Sequence, residues 1–329
     1  MTAEQLTLEA IRTLRDQLAG DLVRTPLMRC AGIEDHVGGD TRVFAKLEFL
    51  QRTGTFKARG ALAVIKGLSE AERRAGVTAV SAGNHAIATA FAAAACKVSA
   101  KVVMIRSANP ARIAACESYG ADVILADDVH SAFATAERIQ SQEGRFFVHP
   151  FEGPAVAAGT GTVGLEICEQ CSDFDAVVVP IGGGGLIAGI ATAVKALQPD
   201  AAVIGVEPEG ADSMHRSFAA GQPVAIDRVT TIADSLGAPF ALPYSFSLCR
   251  RSVDELVLVS DDELRRMMGF LFQTMKLAVE PACTASTAAL IGPLRESLIG
   301  KKVVLVMCGS NIDWATFESQ AVFERADAT

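Results

Sequence analysis

Four stretches of the sequence carry residue types that could do chemistry, and a lysine is the most informative of them. In Gln51-Arg52-Thr53-Gly54-Thr55-Phe56-Lys57-Ala58-Arg59-Gly60-Ala61 a glycine turn and a hydroxyl residue run into helix formers, which places Lys57 in or beside the first turn of a helix. Helix starts favour negative charge, so their unpaired amides and the macrodipole disfavour an ammonium and push the amine towards neutral. A neutral amine is a nucleophile, and in a dry pocket it can form a Schiff base with an aldehyde. Alone, the same residue reads more readily as a solvated lysine that merely starts a helix, since lysines are mostly exposed.

The second stretch is Val179-Pro180-Ile181-Gly182-Gly183-Gly184-Gly185-Leu186-Ile187-Ala188-Gly189, a strand, four glycines and a helix start. Successive glycines let backbone amides converge on an anion, since no Cβ obstructs the approach. That is a phosphate cradle. Gly183, Gly185 and Ala188 also match the dinucleotide pattern G-x-G-x-x-A, and Glu207 follows about where a ribose-binding acid would sit. In the third stretch, Ser81-Ala82-Gly83-Asn84-His85-Ala86, amides and the side chains of Ser81 and Asn84 could bind a carboxylate or phenolic oxygen, or simply cap a helix. The fourth, Met307-Cys308-Gly309-Ser310-Asn311-Ile312-Asp313, offers a neutral thiol or hydroxyl to a ligand, or is an ordinary strand-to-turn segment.

Elements must position these residues. Residues 4–19 have helical periodicity through Leu6, Ile11, Leu14 and Leu18, and residues 23–27 are extended ahead of Pro26-Leu27. Residues 43–48 read as a strand leading into the lysine segment, so Lys57 lies just beyond a strand's carboxyl end, where open α/β sheets place ligands. Apolar β-rich runs at 77–80, 102–105, 123–125 and 146–148 alternate with helical stretches and predict a small parallel sheet. A second series at 176–179, 203–206, 256–259 and 303–307 predicts a larger α/β domain, completed by the N-terminal segment.

Bulk properties narrow the function classes. The chain has 329 residues, half of them hydrophobic, with net charge -8 and five His, enough for a large core and without a basic cluster for nucleic acid or anionic lipid. Neither a signal segment nor a membrane span is expected, and the Ala-rich run 86–96 is too short to cross a bilayer. Eight scattered cysteines without framework spacing predict reduced thiols and a cytoplasmic setting. Cys168 and Cys171 form one C-x-x-C without a second pair, which reads as two thiols near a helix end.

Together, in this order and spacing, the four stretches resemble the fold-type II pyridoxal-phosphate enzymes, in particular the serine/threonine dehydratases and serine racemases, from about residue 25 to residue 313. The resemblance implies a two-domain α/β fold like the tryptophan synthase beta chain, each domain a mostly parallel sheet flanked by helices. Residues 1–58 and 152–329 would form the large cofactor-binding domain and 59–151 the small inserted one. It further implies that Lys57 holds pyridoxal 5'-phosphate, Phe56 packs on its ring, and Gly182, Gly183, Gly184 and Gly185 hold its phosphate. Asn84 would bond the phenolic oxygen, Cys308 would face the ring nitrogen, and Ser81, Ala82, Asn84 and His85 would hold the substrate carboxylate. A neutral thiol cannot keep a proton on that nitrogen as a carboxylate can, which favours elimination over transamination.

The implied reaction converts L-threonine, L-serine or a related 3-hydroxy amino acid into a 2-oxo acid and ammonia, with Lys57 taking the α-proton. A racemase on the same scaffold is the alternative. Similar racemases carry a serine where this chain has Ala82, and a methyl group cannot donate a proton from the second face. A nicotinamide-dependent dehydrogenase, or a relative that has lost activity, ranks below both. Departures from the family pattern are Thr55, Cys283 with Thr284, and Ser235; they bear on the substrate more than on the chemistry. Many relatives bind a cation through residues matching Glu207 and the carbonyl of Ala211, but Ser213 stands here in place of the third oxygen ligand, which should weaken such a site. No end-product-sensing regulatory domain is expected, and a homodimer is.

Overall fold

A computed structural model describes residues 6–323; residues 1–5 and 324–329, which include the expected helix start at residue 4 and both ends of the expected large domain, lie outside the described residues. Among the described residues there are ten strands: β1 (Leu27–Arg29), β2 (Arg42–Leu47), β3 (Val77–Val80), β4 (Ala100–Ile105), β5 (Asp122–Ala126), β6 (Phe146–Phe147), β7 (Ala176–Pro180), β8 (Ala202–Pro208), β9 (Glu255–Val259) and β10 (Lys302–Met307). They form two sheets, β1-β2-β10-β7-β8-β9 and β5-β4-β3-β6. Every pairing is parallel except that of β1 with β2.

The strand sequences explain this arrangement. β7 reads AVVVP with every residue buried, and β10 is buried from its second residue on, as strands covered by helices on both faces must be. The crossovers are helices, among them Pro154–Gln170 and Gly185–Leu197, which approach backbone to backbone. A Cβ on Gly164 would stand 2.7 Å from the Ile190 carbonyl oxygen, so only glycine allows that distance.

Each sheet has its own core. Strands β2, β7, β8 and β10 share one cluster with Ile11, while β3 and β4 share another with Leu18, so the N-terminal helix Leu8–Leu18 reaches both. Two sequence expectations shift locally. The strand expected through Glu48 ends at Leu47, because Glu48 turns inward to accept from Arg59 and Thr25. The short helix Ala31–Val37 and strand β1, which carry little periodicity of their own, were not legible in the sequence.

Candidate active site

The lysine helix begins at Lys57 and runs to Lys66. Its approach loop is stitched to the end of β10: Phe56 N donates to Cys308 O (3.2 Å), Ser310 N donates to Gly54 O (3.0 Å), and Thr55 bridges to Gly309. Thr55 supplies the capping oxygen, its hydroxyl accepting from Lys57 N at 3.2 Å. The expected proximity of the lysine and Cys308 stretches is thus produced by two neighbouring parallel strands of one sheet.

Lys57 is half-buried and its amine points inward, donating to the Pro150 carbonyl at 2.7 Å and lying 5.2 Å from the centre of the Phe56 ring. Burial pulls its pKa from 10.5 down to about 8, against the opposing pull of Cys308 and Glu280. It faces a cavity of about 440 Å³ shared with Phe56, Asn84, Gly182, Gly183, Gly184 and Cys308. Gly185 opens the helix Gly185–Leu197 and closes the turn behind Lys57.

The glycine turn follows β7, and its residues are glycine for identifiable reasons. Gly184 sits at φ +89°, a left-handed conformation. A Cβ on Gly183 would collide with the Phe151 ring, and one on Gly185 with the Phe151 backbone. Free amides at a helix N-terminus, with no side chain between them and the cavity, suit an anion such as a phosphate ester.

The third stretch leaves β3 and opens the helix Asn84–Ala95. Its side chains divide between two spaces. Asn84 reaches the inner cavity, its amide nitrogen donating to Glu280 (2.8 and 3.0 Å) and to Ser235 (3.0 Å), while its oxygen accepts from Asn311 (2.9 Å). Ser81, Ala82, Asn84 and His85 line an outer cleft that also includes Lys57 and Gly183. Ser81 Oγ accepts from Gly83 N at 3.1 Å, which shapes the loop. His85 Nε2 lies 2.8 Å from the Val148 carbonyl, so it carries the proton; burial and the nearby Lys57 charge drop this imidazole to about 3, and it is neutral at working pH.

Cys308 is buried beneath the cavity, and the adjacent Cys283 thiol together with burial holds it well above the usual thiol range. It is a neutral thiol. Glu280, also buried, is raised to about 7, chiefly by burial and then by Asp234.

Ten of the sequence-selected residues, Phe56, Lys57, Ser81, Ala82, Asn84, His85, Gly182, Gly183, Gly184 and Cys308, line these two connected spaces, with Gly185 beside them. Glu207 and Ala211 line neither. Both Glu207 oxygens accept backbone amides of the next helix, Met214 N at 2.8 Å and His215 N at 2.7 Å. Among the described residues, no group of three or more His, Cys, Asp or Glu side chains is placed to hold a metal. Glu207 therefore caps a helix rather than reaching for a ribose. Sequence reasoning did not single out His149, Pro150, Phe151 or Glu280, which line the two spaces, and it gave Asn311 no role of its own within the fourth stretch, although Asn311 holds Asn84. Only the fold brings them here.

Fold and site together define an α/β enzyme with a nucleophilic lysine at one helix start and an anion cradle at another. A family model described as pyridoxal-phosphate dependent enzyme matches residues 18–309. The chain is 55% identical over 310 residues to phenylserine dehydratase of Ralstonia pickettii, covering 94% of each sequence. It is 39% identical over 310 residues to the catabolic L-threonine dehydratase of Escherichia coli K12, again covering 94% of each. The solved structure of maize serine racemase is similar, with TM-score 0.91, 33% identity, and 96% of this chain and 97% of that one covered.

The chain belongs to the pyridoxal-phosphate-dependent enzymes of fold type II, and its cofactor is pyridoxal 5'-phosphate.

Proposed function

We propose that this enzyme is a dehydratase that converts a 3-hydroxy amino acid into a 2-oxo acid and ammonia. The observation that carries the reading is the placement of a half-buried, pKa-lowered Lys57 amine in one cavity with the glycine turn and a neutral thiol. The names of its relatives, dehydratases and ammonia-lyases of phenylserine, threonine and hydroxyaspartate, share this reaction type.

Bound pyridoxal phosphate supplies an electron sink that acidifies the α-proton of an attached amino acid. Residues of this chain do the rest. Lys57 Nζ would anchor the cofactor and, as a neutral amine, would accept the α-proton. The amides of Gly182, Gly183, Gly184 and Gly185 would hold the phosphate, Phe56 would pack on the ring, and Asn84 would bond the phenolic oxygen once its amide turns from Glu280. Ser81, Asn84 and His85 with the loop amides orient the substrate carboxylate; His85 acts as a neutral donor or acceptor. Cys308 would offer the ring nitrogen a neutral thiol rather than a charged partner, which favours elimination of the β-hydroxyl. Ala82, lining the outer cleft with a methyl group, provides no acid for the opposite face, which favours the dehydratase over a racemase.

The two sheets are read as the large domain, 1–58 with 152–329, and the small domain, 59–151. A homodimer and a cytoplasmic setting complete the proposal. Eight free thiols are consistent with a reducing compartment, and among the described residues no helix is long and apolar enough to cross a membrane. The purified holoenzyme should show a visible absorption band and release ammonia from 3-hydroxy amino acids. Lys57→Ala should lose the band and at least about a hundredfold in turnover. Turnover surviving without the band would refute the assignment.

A further inference from the structure

Beyond Lys57 the cleft widens to about 1120 Å³ between the two sheets. Its far wall is apolar. Val129 and Phe133 come from the start of the helix Val129–Glu143 on the small sheet, Phe147 from β6, and Phe151, Pro239 and Phe240 from connections of the large sheet. Val129 is 59% exposed, Phe133 45% and Phe240 36%, and these large apolar side chains converge on one cleft from two different units. An apolar patch beside a reactive amine is a ligand surface by its position.

The aromatic groups form a continuous row. Ring centres lie 6.2 Å apart for Phe147 and His149, 4.7 Å for His149 and Phe151, and 6.2 Å for Phe151 and Phe240. Phe151 rests against Gly183, so the row leads from the glycine turn to the mouth. His149 is an uncharged member of it: its Nδ1 accepts from Glu152 N at 3.0 Å, and burial with the nearby Lys57 charge lowers it to about 4. The charged side chains lining the cleft are Lys57 and Asp234, and Asp234 is paired with Arg112 at 2.6 Å. A second carboxylate on a substrate would meet Asp234 and find no cation beyond the reactive lysine. The methyl group of threonine would leave the mouth unfilled. An aryl ring would bury its faces and edges against Phe133 and Phe240.

Resting on the dehydratase reading, we propose that the outer cleft is a side-chain subsite for the aryl group of a 3-aryl-3-hydroxy amino acid, with Phe133 and Phe240 as its specificity determinants. The holoenzyme is tested by kcat/KM for L-threo-3-phenylserine, L-threonine and L-threo-3-hydroxyaspartate. Calorimetric binding of L-phenylalanine and L-alanine, which lack a leaving group, is measured alongside. Phenylserine should exceed threonine, and phenylalanine should bind more tightly than alanine, each by about tenfold or more. Phe133→Ala and Phe240→Ala should each reduce both ratios about fivefold or more, and Phe133→Leu should retain most of them. A preference for threonine or hydroxyaspartate, or alanine variants that leave the ratios unchanged, overturns the subsite. Should no substrate release ammonia, the dehydratase reading fails instead, and the phenylalanine-to-alanine binding ratio still decides the subsite.

Discussion

The lowered pKa of Lys57 makes a quantitative prediction about cofactor loading. The amine must be neutral to attack an aldehyde, and burial moves its pKa from 10.5 to about 8. At pH 7 about one amine in ten is then neutral, against about one in 3000 for an ordinary lysine, a difference of roughly 300-fold in reactive form. Because the neutral form reacts, loading rises with pH: about tenfold from pH 7 to 9, then a plateau. His85 and His149, lowered to about 3 and about 4, stay uncharged over this range, and the raised Cys308 thiol stays protonated. Glu280, at about 7, ionises within it, and its charge holds the ammonium form. Glu280→Gln should therefore move the midpoint downward. The assay is stopped-flow reconstitution of apoenzyme with pyridoxal phosphate, followed at the visible band. A midpoint at pH 10 or above, or a midpoint raised by Glu280→Gln, refutes the electrostatic account.

Three further outcomes are expected. Gly184→Ala forces a Cβ onto a φ of +89° and to 2.5 Å from Met214 Cε, so thermal unfolding should show a loss of at least about 1–2 kcal/mol, and cofactor titration weaker binding. Arg59→Met strands buried Glu48 and leaves Glu166 with Lys46 alone, and should cost about 3–5 kcal/mol in denaturant unfolding, while Arg74→Ala at the exposed pair with Glu70 should cost at most about 0.5 kcal/mol. Ala82→Ser places a hydroxyl on the outer cleft and should yield detectable D-isomer from an L-amino acid, read by chiral chromatography. Its complete absence would count against the assigned face.

The sequence disclosed the site through local chemistry. A turn ahead of Lys57, four glycines after an apolar strand, and small polar residues after another all act through backbone amides at helix starts, which are written in consecutive residues. The parallel strands of both sheets were legible for the same reason, since a buried parallel strand is a short apolar run. What stayed hidden depends on distant segments. The Pro150 carbonyl accepts a hydrogen bond from the lysine amine 93 positions away, and Phe151 fills the space that Gly183 leaves. Cys283 and Cys308 touch because the helix Pro281–Ile291 packs on β10, which neither residue's neighbours announce.

The least legible feature explains why the lysine is held where it is. Two positions after Lys57, Arg59 is fully buried and donates to Glu48 (2.8 Å) and Glu166 (2.7 Å), and Glu166 also accepts from buried Lys46 at 2.5 Å. Four charges in one dry network add little net stability over apolar residues of the same size. Their geometry, however, is demanding, since each oxygen needs its donor at hydrogen-bond distance. The network joins β2, the lysine helix and the helix Pro154–Gln170, and Gly159 lets the last two approach so closely that a Cβ there would stand 2.6 Å from the Arg59 carbonyl oxygen. A slide of the lysine helix by one residue would break both ion pairs of Arg59 at once. Orientation of the nucleophile therefore comes from a polar lock behind it, and the cavity in front of it remains free of charged groups that would hold the amine protonated, apart from Glu280.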